Sequence, residues 1–287
     1  MEAALSLFLV EYIIASLVFA ALDALLALMS FKKGGLQGRA LGYTCVGCAL
    51  VDLSYLASCL IDNRFVYSCV SSAYFVCVDI MLVSLVIFVC DFCKLKKTMA
   101  GDLHIKLAHA FIVLDIIFFV VNPFWDVAIS FVPRDTEFAK FSYEMHFWFY
   151  AHLAFCYAMV ATCVYFLIYK LVRVPLEYKR QYLYAAFGVV AIVAINGVFL
   201  FLPGLSVYNF LDYSILGYSL GAYVFYWACF QYSTKGMMNL FKMSVFENID
   251  QGLVLFDYAG KLILHNEMAD RQWPDVKLVE LMMIDDF

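Results

Sequence analysis

Residues 66–90 read VYSCVSSAYFVCVDIMLVSLVIFVC, a run in which Asp79 is the one carboxylate and no lysine or arginine occurs. About 20 mostly apolar residues in helical form cross the hydrocarbon of a bilayer. A helix also satisfies its own backbone donors and acceptors there, where water cannot. The run is therefore read as a membrane-spanning helix. Working outward from it, six more stretches of the same character lie near residues 5–30, 41–61, 105–121, 147–169, 183–202 and 213–232. The 287-residue chain as a whole is 65% hydrophobic and 15% charged, with a mean hydropathy of +0.85. A soluble domain is about half apolar and a quarter charged. The expected fold class is an all-α integral membrane protein, a seven-helix transmembrane bundle over residues 1–232. Helix 1 is expected to be retained, because Met1 to Val10 carries no basic residue ahead of its apolar run as a secretory leader would.

Charge is informative here by side and not by sum. Lys32, Lys33, Arg39, Lys94, Lys96, Lys97, Lys106, Lys170, Arg173, Lys179, Arg180, Lys235 and Lys242 fall on one side of the seven stretches, and only Arg64, Arg134 and Lys140 on the other. Basic loops stay in the cytoplasm. The asymmetry predicts an outer N-terminus and a cytoplasmic C-terminus. The net charge of −5 says little for such a chain, and nucleic acid is not expected as a partner.

Ten cysteines lie within or at the edges of apolar segments, where a free thiol behaves as a small hydrophobe. Cys59 and Cys69 flank the short outer turn at residues 61–65 and leave a bridge between helices 2 and 3 open. Cys45-x-x-Cys48 and Cys90-x-x-Cys93 each share a helix face, but their surroundings match no zinc module. No metal site is expected.

Five acids fall inside the apolar segments: Glu11, Asp23, Asp52, Asp79 and Asp115. A charge at mid-bilayer costs at least about 2.5–3.5 kcal/mol, so each should face the bundle interior or a wet cavity, or be protonated. Asp52 and Asp79 lie deepest, and the tight turn between helices 2 and 3 lets them face one another. Two roles stay open for them: carboxyls that glue helices, with Ser54, Tyr55, Ser72 and Tyr74 as partners, or a ligand, ion or proton site. His152 and Asn196 add polar groups from the outer half. Helix 7 holds no lysine for retinal, and the intramembrane histidines His109 and His152 lie near opposite sides, so no cofactor is expected. Gly217-x-x-x-Gly221 permits close helix packing, within the bundle or across a dimer seam.

The longest outer connection, residues 122–146, reads NPFWDVAISFVPRDTEFAKFSYEMH. Its aromatics, Trp125 and Phe131 among them, suit either a loop in the headgroup layer or the lid of a ligand site open to the outside. After helix 7 the composition changes. Residues 233–248 read as a helical connector, and residues 249–287 as an incomplete domain opening with a strand at Gly252–Asp257, a turn at Tyr258–Lys261 and a returning strand at Leu262–Asn266.

The stretch FENIDQGLVLFDYAGKLILHN, residues 246–266, with Glu267-Met-Ala269 after it, resembles the opening of a PAS domain. Such domains place a short helix, an apolar strand ending in Asp, a glycine-containing turn, a second strand and an Asn before a helix. Upstream, Asn122-Pro123 with Trp125, Arg180-Gln181 entering helix 6 and Leu211-Asp212-Tyr213 entering helix 7 are similar to the seven-helix N-terminal region of bacterial histidine kinases, a region also found ahead of GGDEF-type diguanylate cyclases. The resemblance implies a sensor and signal relay of a two-component system in the bacterial cytoplasmic membrane, feeding a cytoplasmic PAS domain through helix 7. It further implies the lipid bilayer and a small molecule from the outer side as partners, and a homodimer in the full-length protein. No kinase or cyclase motif stands in these residues, so catalysis belongs to the parent protein. The buried acids keep a small proton-linked or solute transporter open as the alternative.

Overall fold

The computed structural model describes residues 2–95, 98–133, 141–174, 176–201, 214–230, 242–256 and 262–276. The chain divides into two compact units, residues 1–230 and 231–287.

Seven long helices make the first unit among the described residues: α1 (Glu2–Lys33), α2 (Gly35–Cys59), α3 (Arg64–Phe92), α4 (Met99–Trp125), α5 (Phe147–Arg173), α6 (Leu176–Phe201) and α7 (Ser214–Phe230). Five of them, α2 to α5 and the Val10–Lys33 part of α1, are long and apolar enough to cross a membrane, and Ile215–Phe230 is a shorter apolar helix. The junctions are set by local chemistry. Gly34 and Gly35 both take positive φ, 67° and 68°, which lets the chain reverse between α1 and α2 at no side-chain cost. Asn63 caps α3 by accepting from the Phe65 and Val66 amides, and Thr98 caps α4 by accepting from Gly101.

α2 packs between α1 and α3, α6 packs on α7, and α7 returns against α1 and α2. The backbones approach closely where glycine permits it: a Cβ on Gly47 of α2 would stand 2.7 Å from Met81 Cβ of α3. Leu41, Cys45, Phe88, Val89, Cys163, Leu167, Val189 and Phe225 form the apolar interior. All ten cysteines are free thiols, Cys59 and Cys69 included, and both Cys-x-x-Cys pairs pack into this interior. Large aliphatic side chains such as Leu22, Leu25, Val113, Ile117 and Val120 face outward, while Asp23, Asp52, Asp79, Asp115, Asn122 and His152 are buried. That distribution inverts the one water imposes. It is what a hydrocarbon solvent imposes, since there carboxylates gain by facing one another's helices.

The connection between α4 and α5 carries a strand pair among its described residues. Two strands, β1 (Ile129–Pro133) and β2 (Phe141–Met145), pair antiparallel with Phe131 opposite Tyr143. Asn122, buried at the end of α4, templates the turn into β1: its carbonyl accepts from Ala128 N at 2.8 Å and Ile129 N at 3.0 Å, and its amide donates to Ile129 O at 3.0 Å. Phe131 and Phe141 close on Tyr67 of α3, over Phe119 and Phe149.

The second unit has a helix α8 over residues 242–247, strands β3 (Val254–Phe256) and β4 (Leu262–His265) paired antiparallel, and helix α9 (Glu267–Gln272). Asn266 organises it. Its side chain accepts from Leu253 N and Ala269 N and donates to Phe246 O and Gln251 O, so one residue caps α9 and ties the strand pair to α8. The turn expected at Tyr258–Lys261, the Leu211-Asp212-Tyr213 motif and most of the connector lie outside the described residues.

Candidate functional site

Among the described residues, three groups of polar side chains inside the bundle join different helices and include the candidate residues. The first joins α3, α4 and α5. Trp148, His152 and Cys156 follow at i, i+4 spacing and so share one face of α5. Trp148 Nε1 donates to Asp115 Oδ1 of α4 at 2.7 Å, and His152 Nδ1 donates to Asp115 Oδ2. His152 Nδ1 also lies 3.9 Å from Asp79 Oδ1 of α3, and Cys156 Sγ lies 3.7 Å from His152 Nε2. Phe75 and Phe119 meet the imidazole edge to face, with centroids 5.6 and 5.2 Å away.

The second group joins α1, α2 and α7. Ser219 Oγ donates to Asp23 Oδ2 at 2.6 Å and stands 3.2 Å from Asp52 Oδ2. In the third, Tyr157 of α5 donates to Asn196 Oδ1 of α6, whose amide donates to the Tyr218 hydroxyl of α7 at 3.3 Å.

A cavity of about 240 Å³ runs between these helices under the hairpin. Phe131, Tyr143 and Tyr67 border it at one end, and His152, Cys156, Tyr157, Asn196 and Tyr218 supply its polar wall. An aromatic chamber with a few convergent polar groups suits a small, mostly apolar molecule.

The sequence expectations distribute unevenly over this geometry. His152, Asn196 and Phe131 line the cavity. Asp79 and Asp115 stand immediately behind His152, outside the lining. Asp52 and Asp79 do not form the expected pair: Asp52 shares Ser219 with Asp23, and Asp79 belongs to the His152 group. The reason is helix phase. Residues 52 and 79 sit on faces of α2 and α3 that turn toward different third helices, α7 and α5. Of the suggested partners, Ser54 contacts Cys77 at 4.0 Å, Tyr55 and Tyr74 pack ring against ring, and Ser72 Oγ has no hydrogen-bond partner among the described residues. Glu11 lies on the exposed face of α1, apart from the other acids. Trp125 is 73% exposed and takes no part in the cavity. Gly217 and Gly221 face Ile195 and Ile192 of α6, where a Cβ on Gly221 would stand 2.0 Å from Ile192 Cδ1. Trp148, Cys156, Tyr157, Tyr218 and Ser219 were not singled out from the sequence. The i, i+4 series 148, 152, 156 was the signal that marked the first two.

An apolar-out, acid-in helical bundle of this kind is a multi-pass membrane protein. The family model describing the N-terminal 7TM region of histidine kinase matches residues 13–237. The chain belongs to that family, a membrane sensor region. No curated protein matches it.

Proposed function

We propose that the bundle senses a small molecule arriving from the outer side and relays its presence through α7 to a cytoplasmic PAS domain and the kinase of the parent protein. The observation that carries this reading is the cavity, whose wall includes both the hairpin residue Phe131 and Tyr218 of α7. A molecule lodged there would touch the outer cover and the last helix at once, and a ligand shifts an equilibrium only through different contacts in its two states. Tyr218 is the sequence neighbour of Ser219, so a shift of α7 felt at the cavity is felt at Asp23 and Asp52 as well. Family membership favours this sensor over the transporter alternative. The outer N-terminus rests on the distribution of basic residues across the loops. The PAS assignment rests on residues 246–269 and on the strand pair and Asn266 cap found there.

In the full-length parent reconstituted in vesicles, Phe131→Ala should shift the dose response of kinase output to the stimulus at least several-fold without loss of membrane expression. An unchanged dose response for Phe131→Ala and Asn196→Ala together would remove the cavity from the sensing path.

A further inference from the structure

Among the described residues, one ligand atom from each of Asp79, His152 and Cys156 lies within 4.8 Å of the other two. An oxygen, an imidazole nitrogen and a thiolate sulfur are the three donors that suit a borderline-soft divalent cation, and zinc holds them at about 2.0–2.3 Å. Asp115 stands behind these three groups and does not itself bind the cation. Both oxygens of Asp115 are engaged, one by Trp148 Nε1 and one by His152 Nδ1. An Nδ1–H donated to Asp115 leaves the His152 lone pair on Nε2, 3.7 Å from Cys156 Sγ. This is how a carboxylate fixes the tautomer and direction of a metal-binding imidazole. The Asp79 carboxylate, whose Oδ1 stands 3.9 Å from Nδ1, turns toward Nε2 to complete the set. Asp79, by contrast with Asp115, is fully buried, and among the described residues no N–H or O–H donor reaches either of its carboxylate oxygens, which have the Asp115 carboxyl beside them. A buried carboxylate without donors is costly in a bilayer, and a cation beside it removes that cost.

We infer that Asp79, His152 and Cys156 bind one Zn²⁺, with Asp115 as the positioning residue of His152. Binding releases the Cys156 thiol proton to water, because the ligand is the thiolate. Three protein ligands leave a fourth tetrahedral position for water or an outside ligand. His152 and Cys156 both line the cavity, so that position faces the space from which a small molecule would come. The inference goes beyond the sensor reading and stands apart from it: metal binding is read on this chain alone, whereas sensing is read at the output of the parent, so either can fail without the other.

The experiment is a Zn²⁺ titration of the 287-residue chain in lipid nanodiscs after chelator treatment, with Co²⁺ as the spectroscopic substitute. One equivalent of Zn²⁺ should bind, and Co²⁺ should give a thiolate charge-transfer band with visible bands of tetrahedral intensity. Cys156→Ser should remove the charge-transfer band, Asp79→Asn should abolish one-equivalent binding, and Asp115→Asn should weaken it about 10- to 100-fold. Asp52→Asn, in the other acid group, should bind as wild type. If Asp79→Asn does not fold, Cys156→Ser, a near-isosteric change at a half-buried position, carries the test. Absence of stoichiometric Zn²⁺ in the wild type, or an undiminished thiolate band in Cys156→Ser, overturns the site.

Discussion

Ser219 of α7 donates a 2.6 Å hydrogen bond to Asp23 of α1, and the same hydroxyl oxygen stands 3.2 Å from Asp52 of α2. A serine hydroxyl brings one proton and two lone pairs. It can serve one of the two carboxyls fully at a time, and rotation about its Cβ–Oγ bond exchanges which one. The joint is therefore two-sided by construction. It sits where α7, the last helix of the bundle, is held by the first two.

Removing that hydroxyl leaves two buried carboxyls without their shared donor, at about 1–3 kcal/mol for an unsatisfied buried group. Ser219→Ala should lower the thermal unfolding midpoint of the chain in detergent. In the full-length parent it should also bias output to one level with or without stimulus. Ser219→Thr keeps the hydroxyl and should retain both stability and response. Equal midpoints for the Ala and Thr variants would show that the joint is not held by this bond.

Asn122 makes three hydrogen bonds to the backbone at residues 128 and 129. Asn122→Ala removes all three and orphans buried amides, so the hairpin should open by local unfolding while the helices persist. Limited proteolysis should cut between β1 and β2 markedly faster in the variant, with unchanged helical circular dichroism. Asn122→Asp keeps the acceptor and should lie between the two. Identical cleavage rates for wild type and Asn122→Ala would count against the template role.

Gly221 lies against Ile192 with no room for a methyl group: the added carbon would be 2.0 Å from Ile192 Cδ1. The obstacle is the end of a side chain, so it can move, at an overpacking cost of about 1–3 kcal/mol. Gly221→Ala should destabilise the bundle by an amount in that range, and Ile192→Ala on the same chain should restore part of it. A destabilisation that Ile192→Ala deepens in simple addition would mean that α6 is not what Gly221 meets.

The helices were legible from the sequence because the bilayer imposes one requirement, an apolar run of sufficient length, and Val66–Cys90 meets it without reference to anything distant. The gathering of the acids was not. Whether Asp52 turns to α3 or to α7 is decided by a few tens of degrees of helix phase, which apolar runs that are hydrophobic nearly all round leave unspecified. The hairpin was missed for a related reason. Its order comes from Asn122, seven residues before its bonded partner Ile129, and from Tyr67 on another helix. The strand pair of the second unit was readable because both strands and the Asn266 cap lie within one short stretch of sequence.

In the proposed relay, the state of the bundle leaves the membrane through α7 as a helical movement. Output in the full-length parent after insertions between Asn239 and Phe246 reads that movement. One residue turns everything downstream by about 100° and advances it about 1.5 Å, whereas seven add nearly two whole turns. One inserted Ala should lock or invert kinase output, and a seven-residue helical insertion should largely restore control. Equal, stimulus-responsive output for insertions of one, two, three and seven residues would contradict the relay, since a flexible tether has no phase to lose.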